Sequence, residues 1–365
     1  MSSRGDMPAW ADYVLLPLIN LLLAFVLSGL VVLAIGEDPV RAMRILVEGA
    51  IGYPEAIAFT LYYATNFIFT GLAVALAFHA GLFNIGGEGQ AYVAGLGVAL
   101  ICLYLDFLPW PIIFVGAIAL GMAFGAAWAA VPGWLQAKRG SHVVITTIMF
   151  NFIAAALMTY LLSNVMLEPG RGAPETRRFI ASATLPSMQT MLGWIGIEAP
   201  RSPLNFAFFM AIAAAFLVYV YIWRTRWGYA LRVVGQNEQA ARYAGIDPAK
   251  TIIVAMAISG ALAGLMGVNE IMGAHQRLLV AFTGGFGFVG IAVALMGRNH
   301  PLGVCLAALL FGALYQGGAE LAFEMRAISR EMVIVIQGLI ILFCGALENM
   351  FRPWIATLFA RRKAA

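Results

Sequence analysis

The sequence predicts an all-α polytopic membrane protein of about ten transmembrane helices with a broken or re-entrant helical region, because apolar runs of bilayer length recur along it. Composition agrees. Of 365 residues, 62% are hydrophobic and 11% charged, with a mean hydropathy of +0.87. A soluble domain carries about 25% charged residues, and so few charges could not cover a water-facing surface. A bilayer makes no such demand.

Taken in order, the expected spans are Tyr13–Gly36, Ala56–Phe78, Gly89–Leu105, Pro111–Val131, Val143–Ser163, Leu204–Trp223, Thr251–Met272, Phe286–Met296, Leu302–Gly318 and Met332–Leu347. The run from Phe286 is too short to cross alone, so it reads as a re-entrant piece or one leaning on neighbouring protein. Residues 1–12 are polar, and the run that follows lacks a small-residue cleavage site, so the first helix is expected to be retained. The three cysteines, Cys102, Cys305 and Cys344, lie in apolar runs without CxxC spacing and read as packed or lipid-facing thiols.

Basic residues set the expected orientation. With both termini inside, thirteen of the twenty-two Lys and Arg collect on the cytoplasmic side, among them Lys138, Arg139, Arg224, Arg226, Arg232, Arg242 and Lys250. The domain plan is then a cytoplasmic N-terminus (1–12), one transmembrane domain (13–350) and a basic cytoplasmic tail (351–365). Within that domain, 164–203 is a proline-containing extracytoplasmic loop with short elements, and 224–250 is a cytoplasmic segment. Phe69–Leu76 (FTGLAVAL) echoes Phe288–Leu295 (FVGIAVAL), either as an internal repeat or by chance among apolar strings.

Three segments carry polar chemistry. In Gly81–Gln90, four glycines in nine residues interrupt a helix between two apolar runs. A carboxylate there, Glu88, is either functional or the cap of a helix N-terminus, and Asn84 and Gln90 could bond a polar solute. In Lys138–Asn151, Thr146, Thr147 and Asn151 fall within two turns, facing a pathway or gluing helices; His142 reads as a snorkelling or capping residue. In Gly228–Pro248, a short helix rich in small residues precedes Gly245, a suitable C-terminal cap, and Asp247-Pro248, a suitable helix start. Such a helix under the membrane is a surface that another protein can grip. The pairs Gly121/Gly125 and Gly260/Gly264 suggest close helix contacts.

Other classes lack support. There is no GxxxxGK[ST], HExxH, Ser-centred elbow or paired catalytic carboxylate, so any ATP is bound by another chain, and no cofactor or metal is expected. The net charge of +4 sits in a few clusters, which argues against nucleic-acid binding; membrane lipid is the surrounding partner.

Ala75–Gln90, His142–Asn151 and Gly228–Ile246 resemble the permease subunits of ATP-binding-cassette (ABC) importers, in the branch handling nucleosides and simple sugars. The similarity spans roughly Pro39 to Leu347, and Asn-Ile-Gly-Gly-Glu-Gly-Gln points to the nucleoside members. The resemblance implies a second permease subunit, ABC ATPase subunits and an extracytoplasmic substrate-binding lipoprotein. It also implies a coupling helix docked on the ATPase, here carried by Arg232, Gln239, Ala240, Ala241 and Gly245. Gln239-Ala-Ala-Arg-Tyr-Ala-Gly245 keeps the spacing of the general Glu-Ala-Ala-x-x-x-Gly pattern with Gln for Glu, and the later Ile-x-Leu-Pro is absent. The alternatives are a ribose-like sugar or branched-chain amino-acid permease, an ion-coupled secondary transporter using Glu88, and an intramembrane enzyme for which no catalytic constellation is visible.

Overall fold

The computed structural model describes residues 15–168, 170, 172–325 and 327–341. Its helices run, in order, Leu16–Ala34 (α1), Pro39–Ile51 (α2), Pro54–His79 (α3), Gly87–Tyr104 (α4), Trp110–Arg139 (α5), Val143–Tyr160 (α6), Met188–Gly193 (α7), Ala207–Arg224 (α8), Arg226–Gln236 (α9), Glu238–Tyr243 (α10), Pro248–Gly267 (α11), Phe286–Met296 (α12), Pro301–Glu324 (α13) and Arg330–Ile341 (α14). Two π-helical turns, Leu161–Val165 and Val268–His275, extend α6 and α11. The described residues form isolated β-bridges but no ladder.

The helical membrane architecture holds, while the described residues fix fewer full spans than the ten expected. Among the described residues, six helical stretches are long and apolar enough to cross a membrane: Pro54–His79, Trp110–Arg139, Val143–Val165, Ala207–Arg224, Pro248–His275 and Pro301–Glu324. Leu22–Ala34 and Phe286–Met296 are shorter apolar helices. Several boundaries also move. The span expected to end at Val131 continues through Pro132 to Arg139, where Gly140 closes it at φ 68°. α2 was not expected at all, although Asp38 and Pro39 mark its start: the Asp38 carboxylate accepts from Val40 N at 2.9 Å and Pro39 fills the first helical position. The N-terminal segment, Cys344 and the basic tail fall outside the described residues.

Contacts divide the chain into two units, 1–56 with 313–365, and 57–312. In the first, α1 lies against α2 and α14. α2 approaches α13 closely at Gly49, where a Cβ would stand 2.6 Å from that of Glu320, and Tyr53 donates to Glu320 Oε1 at 2.8 Å.

The second unit is built on α4, α5 and α11, the most extensively packed trio. The small-residue pairs meet as expected: Gly125 lies against the Gly260 carbonyl, and a Cβ on Gly264 would reach the Gly121 carbonyl oxygen at 2.7 Å. Backbones approach this closely because no side chain intervenes. The echoing segments also touch. Gly71 of α3 faces Val293 of α12, and Gly290 of α12 faces Thr70 of α3. The segment after α6 carries the expected short elements: a 3₁₀ turn at Ala181–Ala183, α7, and bridges Glu175–Leu279 and Ser187–Asn205. Arg177 pins it to Asp106 at 2.8 Å and to the Leu103 carbonyl.

Candidate functional site

The helix break between α3 and α4 is closed by side-chain amides. Asn84 is fully buried. Its Nδ2 donates to Gln90 Oε1 (3.0 Å) and Ser259 Oγ (2.9 Å), while its Oδ1 accepts from Gly86 N (2.9 Å) and Gln90 Nε2 (3.0 Å). Ser259 in turn donates to the Ala73 carbonyl at 2.6 Å. Asn151 of α6 reaches over the same break, accepting from Gly89 N at 2.9 Å and donating to the Ile85 carbonyl at 3.0 Å. Backbone groups that leave a helix inside an apolar bundle need such partners. Two sequence segments far apart in the chain thus converge on one junction. Thr147 is buried there and bonds its own helix at Val143 O, 2.8 Å, as does the more exposed Thr146 at 3.0 Å. His142 makes no side-chain capping bond; Gln136 Oε1 accepts from Val143 N instead.

Glu88 does cap a helix, but not its own. Its Oε1 accepts from Gly285 N at 2.9 Å and its Oε2 from Gly287 N at 2.8 Å, at the start of α12. Gly285 has φ 82°, a conformation unfavourable to a Cβ, and Gly287 lies directly on the Glu88 backbone. The N-termini of α4 and α12 therefore abut with the carboxylate between them, where each helix dipole favours negative charge. Glu88→Ala leaves two N–H groups without an acceptor, a loss of about 2–3 kcal/mol. The expected result is normal membrane insertion with uptake several-fold below wild type. Uptake measured against the membrane level of the protein checks this, and equality with wild type refutes it.

The segment after α8 is built by local caps. Thr225 Oγ accepts from Gly228 N at 3.1 Å at the start of α9, and Asn237 Oδ1 accepts from Gln239 N (2.9 Å) and Ala240 N (3.0 Å) at the start of α10. Gly245 follows α10 at φ 75°, and Asp247 Oδ1 accepts from Ala249 N at 2.9 Å before Pro248 opens α11. Ala241 is fully buried in its own chain. The outward face of α10 consists of Glu238, Gln239, Ala240, Arg242 and Tyr243, continued by Ala244 and Gly245, with Tyr243 94% exposed. Arg232 sits half-buried on α9, its Nε 3.4 Å from the Gly228 carbonyl. At the end of α9, Gly235 lies directly on the backbone of His79, Ala80 and Gly81, where α3 ends and the break begins.

A third cluster surrounds Glu270 in the π-helical extension of α11. Glu270 is 1% exposed. Its Oε1 accepts from Tyr62 Oη and Asn66 Nδ2, both at 2.6 Å, and its Oε2 lies 3.2 Å from His275 Nε2. Asn269 donates to Asn66 Oδ1 and accepts from Asn205 Nδ2, each at 2.8 Å. Tyr62 and Asn66 share a face of α3 by their i, i+4 spacing. Winding with i→i+5 bonds brings Glu270 and His275 to the same side of their segment. The Asn205 amide seats directly over Gly273, where no side chain would fit.

Residues 56–345 match the family described as "Branched-chain amino acid transport system / permease component". The chain belongs to that permease family. It is 34% identical to a glucose ABC transporter permease protein, TsgB13, of Haloferax volcanii, over 99% of this chain and 94% of that one. It is 35% identical to the guanosine ABC transporter permease protein NupP of Bacillus subtilis (92% and 94%) and 34% identical to the nucleoside ABC transporter permease protein NupB of Lactococcus lactis (90% of each). The resemblance to ABC permeases read from three sequence segments therefore holds along nearly the whole chain.

In this permease, Asn84, Gln90, Thr147 and Asn151 come together at one junction, and Glu88 bonds from its edge to α12. Thr146 stays on the half-exposed side of α6. Ser259 and the Glu270 cluster were not expected from the sequence. Glu270 lies inside the stretch Thr251–Met272, and an acidic residue in a span was the available signal; averaging over the apolar run hid it.

Proposed function

We propose that this chain is the transmembrane permease subunit of an ABC importer for nucleosides. It forms the translocation pathway with a second permease subunit, and separate ATPase subunits drive it by docking on the outward face of α10 from the cytoplasm. An extracytoplasmic binding lipoprotein delivers the solute. The observation that carries this reading is the match, over nine-tenths of the chain or more, to permeases named for guanosine and for nucleosides. In this reading the junction of Asn84, Gln90, Thr147 and Asn151 is the hinge beside the pathway, and Glu88 ties it to α12. Gly235 links the docking segment to that hinge.

A glucose permease of similar identity over 99% of the chain supports a second reading, a sugar importer. Both solute classes present a ring bearing adjacent hydroxyl groups. Uptake of labelled adenosine, guanosine, uridine, glucose and ribose, in cells with and without the gene for this chain, separates them. Loss of nucleoside uptake alone is the expected outcome. Loss of sugar uptake alone selects the second reading, and unchanged uptake of every solute refutes both.

A further inference from the structure

We propose that the Glu270 cluster is a solute-binding subsite for a pair of adjacent ring hydroxyls, entered by displacing His275. The proposal rests on the reading of the chain as a nucleoside or sugar permease. A carboxylate buried in the apolar part of a bundle is costly and marks function by default, and a π-turn inside a longer helix recurs at functional sites. The two oxygens of Glu270 are unequal. Oε1 holds two short bonds from Tyr62 and Asn66, both on α3. Oε2 has one longer contact, 3.2 Å, from a His275 side chain that is 38% exposed. Every other member is at least nine-tenths buried: Tyr62, Asn66, Asn205, Asn269 and Glu270. His275 is thus the one partner that can leave without opening the core.

The residue after it, Gln276, lines an open surface depression of about 430 Å³ together with Trp110, Thr184, Ser187, Thr190 and Trp194. That volume lies in the range of small-molecule sites, and aromatic walls with a few hydroxyls suit a flat ring carrying polar substituents. Once His275 swings aside, Oε2, an ionised carboxylate oxygen with two acceptor sites, accepts both hydroxyls of the adjacent pair. The bonds exchanged are a histidine N–H for two solute O–H groups, with no covalent change.

The test uses the complete transporter in its own membrane. Uptake of adenosine is compared with that of 2′,3′-dideoxyadenosine, or glucose with its 2,3,4-trideoxy analogue if sugar is the solute, in wild type and in Glu270→Gln. The binding lipoprotein is common to both strains, so its own preference cancels in the ratio of mutant to wild type. The expected result is a loss of about tenfold or more for the hydroxylated solute, the size of a lost charge-assisted bond, and a much smaller loss for the analogue. Equal losses for both solutes make Glu270 a clamp that holds the π-turn and overturn the proposal, as does unaltered uptake. If Glu270→Gln is missing from the membrane, Tyr62→Phe, which removes one hydroxyl and keeps the ring, is judged by the same ratio. If the wild type transports no nucleoside and no sugar, the functional reading fails together with this one. If it transports them and the ratio stays at one, only this proposal fails.

Discussion

Replacing Gly235 with Val is expected to abolish uptake. A Cβ at this position runs into the His79 carbonyl, stands 2.8 Å from Gly81 N and 2.9 Å from Ala80 C. Overpacking typically costs about 1–3 kcal/mol when side chains can repack. Here the obstacle is main chain at the end of α3, which has no rotamer to change, so α9 must lift away. The variant should reach the membrane at a reduced level and transport nothing measurable per molecule. Gly235→Ala should show the same defect in weaker form. Uptake normalised to membrane-inserted protein decides, and near-normal transport by Gly235→Val would show that α9 is free to shift without consequence.

Tyr243→Ala is expected to release the ATPase subunits while leaving the permease intact. Tyr243 is 94% exposed, at the end of α10, with exposed Ala240 and Ala244 beside it. A tyrosine projecting from a mixed polar and small-residue surface has the form of an interface anchor, and truncating a hot-spot anchor costs 2 kcal/mol or more, about thirtyfold in affinity. Since it packs on nothing in its own chain, folding should not change. Co-purification of the ATPase with tagged permease, with uptake in parallel, is the measurement; full retention of the ATPase removes α10 as the docking element. Ala241→Trp tests something else. Ala241 is buried, so a large side chain there disturbs the permease itself. Gly245→Val meets no neighbour within 4 Å and is strained only through its φ of 75°, an effect of about 1 kcal/mol.

How much was legible in the sequence follows the range of the interactions. The caps at Gly245, Asp247 and Pro248 are set by residues within a few positions, and they are where the pattern put them. The glycine pairs on α5 and α11 were also readable, because small residues four apart have one common use in apolar helices. Glu88 was readable as a helix cap in type but not in partner: Gly285 and Gly287 lie nearly two hundred residues on, and no local rule points to them. Asn84 and Gln90, read as able to bond a polar solute, bond each other's amides in this structure, a pairing that nothing in their spacing announces. Ala241 was expected to face a partner. A six-residue helix has too few turns for its inner and outer faces to be told apart by periodicity, and α10 puts Ala241 inside.

The contact between α5 and α11 is backbone on backbone at Gly121, Gly125, Gly260 and Gly264. Interfaces filled by long side chains can creep, each rotamer yielding a little; glycine against carbonyl has nothing to yield, and close packing transmits displacement instead of absorbing it. The two helices accordingly behave as a single beam. Any working stroke has to be taken up at joints whose contacts are fewer and polar, such as the Glu88 bridge to α12, so the stiffness of the beam determines where the protein can bend.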